Sequence, residues 1–179
     1  MKILMLVAHP DDEILFGYHD IYYNTVDVIC FTGKNNIVRS AEFNKCMNLA
    51  NIQNNYMLDF PDSSSNQWKE FTNLEIIDNY IKPLLNESYD MIVSHDSQGE
   101  YGNLQHIRVN SIITSLSKIL NIPFMTFYSR FNMNDYKNND FIESRNKLLD
   151  IYISQQEAIR AFRYYFNHKL KYRKLKFLR

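Results

Sequence analysis

Ile3-Leu4-Met5-Leu6-Val7-Ala8 runs without a polar interruption into His9-Pro10-Asp11-Asp12-Glu13, and this junction decides the fold. A continuous apolar run of strand length, with no alternation of polar residues, is the pattern of a strand covered on both faces, as in a parallel sheet. Residues 13 to about 23 suit a helix, with Asp11 or Asp12 near its N-terminus. The chain therefore opens with a strand that feeds directly into a helix.

The same alternation continues outward. Residues 26–32 form a second apolar strand ended by Gly33, and 38–50 a helix with Phe43, Met47 and Ala50 on one face. A short strand is expected near 56–58, a loop at Ser63-Ser64-Ser65-Asn66 and a helix over 74–85. Residues 91–94 read as a fourth strand, 105–120 as a helix, 123–128 as a fifth strand and 147 to about 166 as a long last helix. Repeated βα units imply right-handed crossovers and a mostly parallel sheet. The expected fold class is α/β, a three-layer α/β/α Rossmann-like domain. In such sheets ligands bind outside the carboxyl ends of the strands. His9 to Asp12, Thr32-Gly33-Lys34 and His95-Asp96 should therefore converge on one crevice. No GxGxxG or Walker loop follows the first strand, so a dinucleotide or ATP site has no support.

The 179 residues suffice for one domain with a real core. Hydrophobic and charged fractions of 45% and 22% suit a globular protein, and the formal net charge is zero. Cys30 and Cys46 lie in apolar and helical patterns and read as buried thiols rather than a disulfide framework. The N-terminal apolar run lacks a cleavage-site pattern, and no run reaches the roughly 18 apolar residues of a membrane span. The expected setting is cytoplasmic. Net charge is uneven, however: residues 163–179 carry seven Lys and Arg and no acid, against an equal acidic excess in 1–162. The expected division is a domain over 1–162 and a basic-aromatic tail over 163–179. The preferred reading is that the tail folds back on its acidic body. A weak contact with an anionic membrane is the alternative, and no nucleic-acid partner is expected.

A His, two Asp and a Glu within five residues form a cluster of metal-ligand types. His9 and Asp12 can face one ion across the strand-to-helix turn while Asp11 is aimed elsewhere. A catalytic zinc takes three N/O ligands and keeps one position open. The third ligand would come from His19, His95, His106 or His168, the remaining histidines. A solvated turn with an acidic helix N-terminus would carry the same residues. Asp96 suits either a partner for a metal-bound histidine or a simple turn cap.

Ala8-His9-Pro10-Asp11-Asp12-Glu13 resembles the signature of the PIG-L/LmbE-like zinc-dependent de-N-acetylase family. Phe31-Thr32-Gly33, Arg39-Ser40-Ala41-Glu42, Asp59-Phe60-Pro61-Asp62, Ser94-His95-Asp96, Gly99-Glu100-Tyr101-Gly102 and a motif ending in His106 are similar to further family segments. Lys147 with Tyr152-Ile153-Ser154-Gln155 is similar to its closing pattern. The resemblance implies Zn2+ held by His9, Asp12 and His106, with Asp11 as general base and Tyr101 assisting the oxyanion. It implies substrate binding by Arg39 and Lys147, and removal of an acetyl group from an N-acetylated sugar, nucleotide-sugar or glycoconjugate. One departure stands out. The family's second motif is usually His-x-x-His, and here it reads Asn103-Leu104-Gln105-His106. Asn103 can stabilise an oxyanion through its NH2 but cannot give up a proton. Loss of the histidine together with its acidic neighbour, now Gln105, suggests a coupled pair lost as a unit. The departure keeps two alternatives in view: an amidase on a larger sugar or thiol conjugate, and a weakened, sugar-binding pseudoenzyme.

Overall fold

A computed structural model describes residues 1–63, 66–85, 87–132 and 134–165, apart from the side chains of 163–165. The N-terminal apolar run forms β1 (Lys2–Val7), with residues 3–8 fully buried. Around it stand β2 (Thr25–Thr32), β3 (Asn55–Phe60), β4 (Met91–Ser94) and β5 (Phe124–Thr126). All pairings are parallel, in the order β3-β2-β1-β4-β5. This is the expected α/β fold.

Because side chains alternate along a strand, β1 feeds two cores. Ile3, Met5 and Val7 join Val28, Cys30 and Val93 on one face. Leu4 and Leu6 join Ile29, Phe31 and Ile92 on the other. Each face is covered by helices. The first is covered from α1 (Asp12–Leu15), α2 (Tyr18–Tyr23) and α3 (Ile37–Leu49) by Ile14, Leu15, Tyr18, Phe43 and Met47. The second is covered from α4 (Asn73–Ile76) and the turns after it by Ile76, Ile77 and Ile81. After α5 (Gly99–Gly102), α6 (Leu104–Leu120) adds Val109, Ile112, Ile113 and Leu116 to that second face. The chain then passes α7 (Phe127–Arg130) and returns to the first face with α8 (Asn139–Leu149) and α9 (Gln156–Tyr165), which contribute Leu148, Leu149 and Ile159. Full burial of one such side chain is worth about 1.5–3 kcal/mol, so β1 is apolar throughout because both its faces are core.

Four element boundaries differ from expectation. The first helix is broken into α1 and α2 at Phe16-Gly17, where a Cβ on Gly17 would lie 2.6 Å from Met5 Cε and 2.9 Å from the Glu13 carbonyl oxygen. The helix expected over 74–85 is α-helical only in α4, then turns wider at Ile77–Ile81 and tighter at Lys82–Leu84, where Pro83 offers no N–H. The strand expected to reach residue 128 turns into α7 at Phe127, capped by Thr126. The long last helix is two helices, broken where Tyr152 enters the core and the Ser154 amide and hydroxyl bond Glu42. Both cysteines are buried free thiols. Among the described residues no helix is long and apolar enough to cross a membrane. Of the basic tail expected over 163–179, residues 163–165 belong to α9 and those from 166 onward lie outside the described residues.

Candidate active site

The strand order reverses at β1, whose neighbours are β2 and β4. Between β1 and β4 lies the topological switch point, where a crevice opens at the strand ends. Hydroxyls of the neighbouring strands fix this edge: Thr32 donates to the Ala8 carbonyl at 2.9 Å and Ser94 to the Leu6 carbonyl at 2.7 Å.

The turn from β1 into α1 separates the two aspartates. Asp11 has φ 111° and ψ −28°, a conformation that costs a non-glycine residue about 1–3 kcal/mol. Its amide donates to Glu13 Oε2 at 3.1 Å, and Glu13 Oε1 accepts the Tyr152 hydroxyl. Glu13 is fully buried, and that burial raises its carboxyl to about 7. The Asp12 carboxylate folds back to accept the His9 amide at 2.8 Å. Among the described residues no hydrogen bond engages the Asp11 carboxylate. Burial first, then the Asp12 and Glu13 charges, push it well above the usual carboxylate range.

Three histidines surround Asp12 Oδ2: His9 Nδ1 at 3.2 Å, His106 Nε2 at 3.4 Å and His95 Nε2 at 3.4 Å. Burial acts to raise Asp12, but imidazolium charge beside it, that of His106 foremost, holds it well below the carboxylate range when the rings are protonated. His95 follows β4 and His106 lies in the first turns of α6, their rings stacked at 3.8 Å. Glu100, at φ 57°, reaches both, 3.0 Å from His95 Nδ1 and 2.7 Å from His106 Nδ1. Burial would raise Glu100, but the two imidazoles bring it down to about 2, so it is an anion accepting from both rings. His95 Nε2 accepts the Ala8 amide at 3.0 Å, which occupies the lone pair a metal would need.

This pattern fits a cation. With its Nδ1–H given to Glu100, His106 turns a lone pair on Nε2 toward His9 Nδ1, 3.2 Å away, and toward Asp12. His9, Asp12 and His106 offer ligand atoms all within 4.8 Å of one another. Two imidazole nitrogens and a carboxylate oxygen suit zinc, and the carboxylate behind His106 is the usual outer partner of a metal-bound histidine.

Other expected site residues are placed unequally. Tyr101 is half exposed, its ring 5.5 Å from His106 and 4.6 Å from Phe162 of α9. Asn103 caps α6, its Oδ1 accepting the Gln105 and His106 amides, while its Nδ2 donates to the Tyr101 oxygen at 3.1 Å. Arg39 pairs with Asp62 and reaches the Pro10 carbonyl at 3.4 Å, which brings it to the rim. Lys147 is not brought here. It is exposed on α8 beside Tyr22 and Leu49, at the ends of α2 and α3, which lead into the opposite edge of the sheet. Asp96 accepts the Gln98 and Glu100 amides, a turn cap. The side chains of residues 103 and 105 do not pair with each other: that of Gln105 turns instead to His9 and the Pro61 carbonyl.

The family profile described as GlcNAc-PI de-N-acetylase (PIG-L) matches residues 4–117, more than half of the chain. The chain belongs to the PIG-L family. An uncharacterised protein of Acanthamoeba polyphaga mimivirus is 30% identical over 187 residues, covering 94% of this chain and 78% of that one. Among solved structures, N,N'-diacetylchitobiose deacetylase from Pyrococcus horikoshii superposes with a TM-score of 0.64 at 17% identity, over 86% of this chain and 70% of that one. A conserved protein of Thermus thermophilus gives 0.50 at 14% identity, over 69% and 59%. At these identities the structural likeness speaks for the fold. The PIG-L match spans β1 through most of α6, and so all three candidate ligands. Glu100, Glu13 and Asp62 carry parts of this candidate site that have no role in the sequence analysis, although each sits inside a segment that resembled the family.

Proposed function

We propose that this protein is a zinc-dependent hydrolase that removes the acetyl group from an N-acetylglucosamine-type sugar or conjugate. The observation that carries the reading is the convergence of His9 Nδ1, Asp12 Oδ2 and His106 Nε2 beside a buried, unengaged Asp11. Family membership supports it, as does the likeness in fold to a diacetylchitobiose deacetylase.

His9, Asp12 and His106 would hold Zn2+, which when bound lowers the pKa of water and polarises a carbonyl. Asp11 takes a proton from water as it attacks the acetamide carbon. The C–N bond then breaks, and Asp11 returns the proton to the departing amine. Because Asn103 cannot supply that proton, both transfers fall to Asp11. Tyr101 is the donor for the developing oxyanion. Burial, then the Asp12 charge, raise its phenol above the ordinary value, so the O–H stays protonated. Asn103 serves Tyr101: its amide occupies a lone pair of the phenol oxygen and leaves the O–H to point elsewhere. Arg39, held by Asp62, is the binding group for a polar or charged part of the substrate.

The test is acetate release from a panel of N-acetyl sugars, chitobiose-type disaccharides, nucleotide-sugars and glycolipids, with zinc restored to metal-free protein. Asp11→Ala should keep zinc and lose about 10²–10⁴-fold in turnover, whereas His106→Ala should lose zinc. Normal turnover by Asp11→Ala, or no acetate from any substrate, overturns the reading.

A further inference from the structure

Gln105 is almost fully buried and its amide is engaged at both ends. Nε2 lies 2.9 Å from the Pro61 carbonyl oxygen, and Oε1 lies 2.6 Å from His9 Nε2. Pro61 O can only accept, so the NH2 end of the amide must face it. The same oxygen accepts the indole N–H of the buried Trp68 at 3.0 Å, and that ring is stacked on Phe31 at 5.5 Å. The carbonyl is thus fixed by the second core, and the amide cannot flip without setting its oxygen against another oxygen. With Oε1 held toward His9, the facing Nε2 must carry the proton. A neutral imidazole protonated at Nε2 has its lone pair at Nδ1, the atom that faces Asp12 and His106.

We infer that Gln105 is a positioning residue that locks His9 into the Nε2–H tautomer, so that Nδ1 is presented as a ligand atom, with the Trp68–Pro61 contact setting the direction of the amide. The inference rests on His9 being a metal ligand, as proposed above. It also assigns the two histidines different outer partners: an anionic carboxylate behind His106 and a neutral amide behind His9. Asp62 Oδ1, at 3.5 Å from His9 Nε2, lies beyond hydrogen-bond range for a ring nitrogen, and the other oxygen of that carboxylate, Oδ2, is paired with Arg39.

The experiment uses metal-free, 15N-histidine-labelled full chain, together with zinc affinity by chelator competition. In the unaltered protein, long-range 1H–15N spectra at a pH where His9 is neutral should show the Nε2–H form. Gln105→Met, similar in length and without a donor or acceptor, should give a tautomer mixture and weaken zinc by about 10- to 100-fold. Gln105→Glu retains an acceptor for His9 but loses the NH2 that faces the Pro61 carbonyl, so it should favour the Nε2–H form over Gln105→Met while lowering stability. Equal zinc affinity and an unchanged tautomer in Gln105→Met overturn the inference even if the protein is an active zinc deacetylase. A tautomer that switches as expected in a protein with no zinc affinity would uphold the lock while overturning the proposed function.

Discussion

The Asn103 amide faces two ways, its oxygen toward the start of α6 and its nitrogen toward Tyr101. The oxygen satisfies amides that the helix leaves without partners, including that of His106, and so helps hold a ligand residue in place. The two roles can be separated. Asn103→Asp keeps an N-cap acceptor, and its charge suits a helix N-terminus, but it loses the donor to the Tyr101 oxygen. Thermal stability should therefore hold or rise while turnover falls by about 10²-fold, the loss expected when an oxyanion donor is misaligned. Unchanged turnover would show that Tyr101 needs no partner. Asn103→Ala, in contrast, should cost about 1 kcal/mol of stability in denaturant titrations. Position 103 is legible in the sequence as the altered part of the site, with a proton donor lost and an NH2 left that could meet an oxyanion. The cap was not visible, because whether an Asn side chain bonds backbone or substrate depends on where the helix begins.

At the level of elements, the strands were legible and the breaks between helices were not. Uninterrupted apolar runs have one inexpensive solution, a strand with core on both faces, and β1 and β4 adopt it, as does β2 around its single acid, Asp27. The helix breaks depend on contacts distant in sequence. Gly17 stands where β1's Met5 crosses beneath it, and the break before α9 exists so that Tyr152 can reach Glu13. Gly17→Ala tests the first. Its new methyl meets the Glu13 backbone carbonyl as well as a flexible methionine, so it should destabilise by about 1–3 kcal/mol, read as a lower urea midpoint with an unchanged slope. A stability equal to the parent protein's would mean that the α1–α2 kink moves freely. Lys147 failed for the same reason: a position in a motif gives no information about which end of a helix faces the crevice.

Across the whole molecule, Glu13 and Tyr152 connect the first βα unit to the segment before the last helix. Glu13 gives this connection a pH dependence. Burial raises its carboxyl from 4.5 to about 7, so the folded state binds a proton more tightly than the unfolded chain. The stability this group contributes is full below about pH 4.5, declines as pH rises and is lost above about 7. In metal-free protein, Glu13→Gln can still accept from Asp11 and meet Tyr152, yet has no charge to bury. Its stability relative to the parent should grow between those limits, by an amount on the order of 3 kcal/mol, and then level off. A difference that does not vary with pH would mean that Glu13 is not ionising in the fold. The same link has a consequence for a chain made from its N-terminus onward at about 5–20 residues per second. His9, Asp12 and His106 have all been synthesised well before Tyr152, the group that holds the support beneath Asp11. A growing polypeptide thus contains the three residues proposed to hold the ion before it contains the one that steadies the proposed base, so on that proposal the ion-binding group is complete in the chain before the catalytic one.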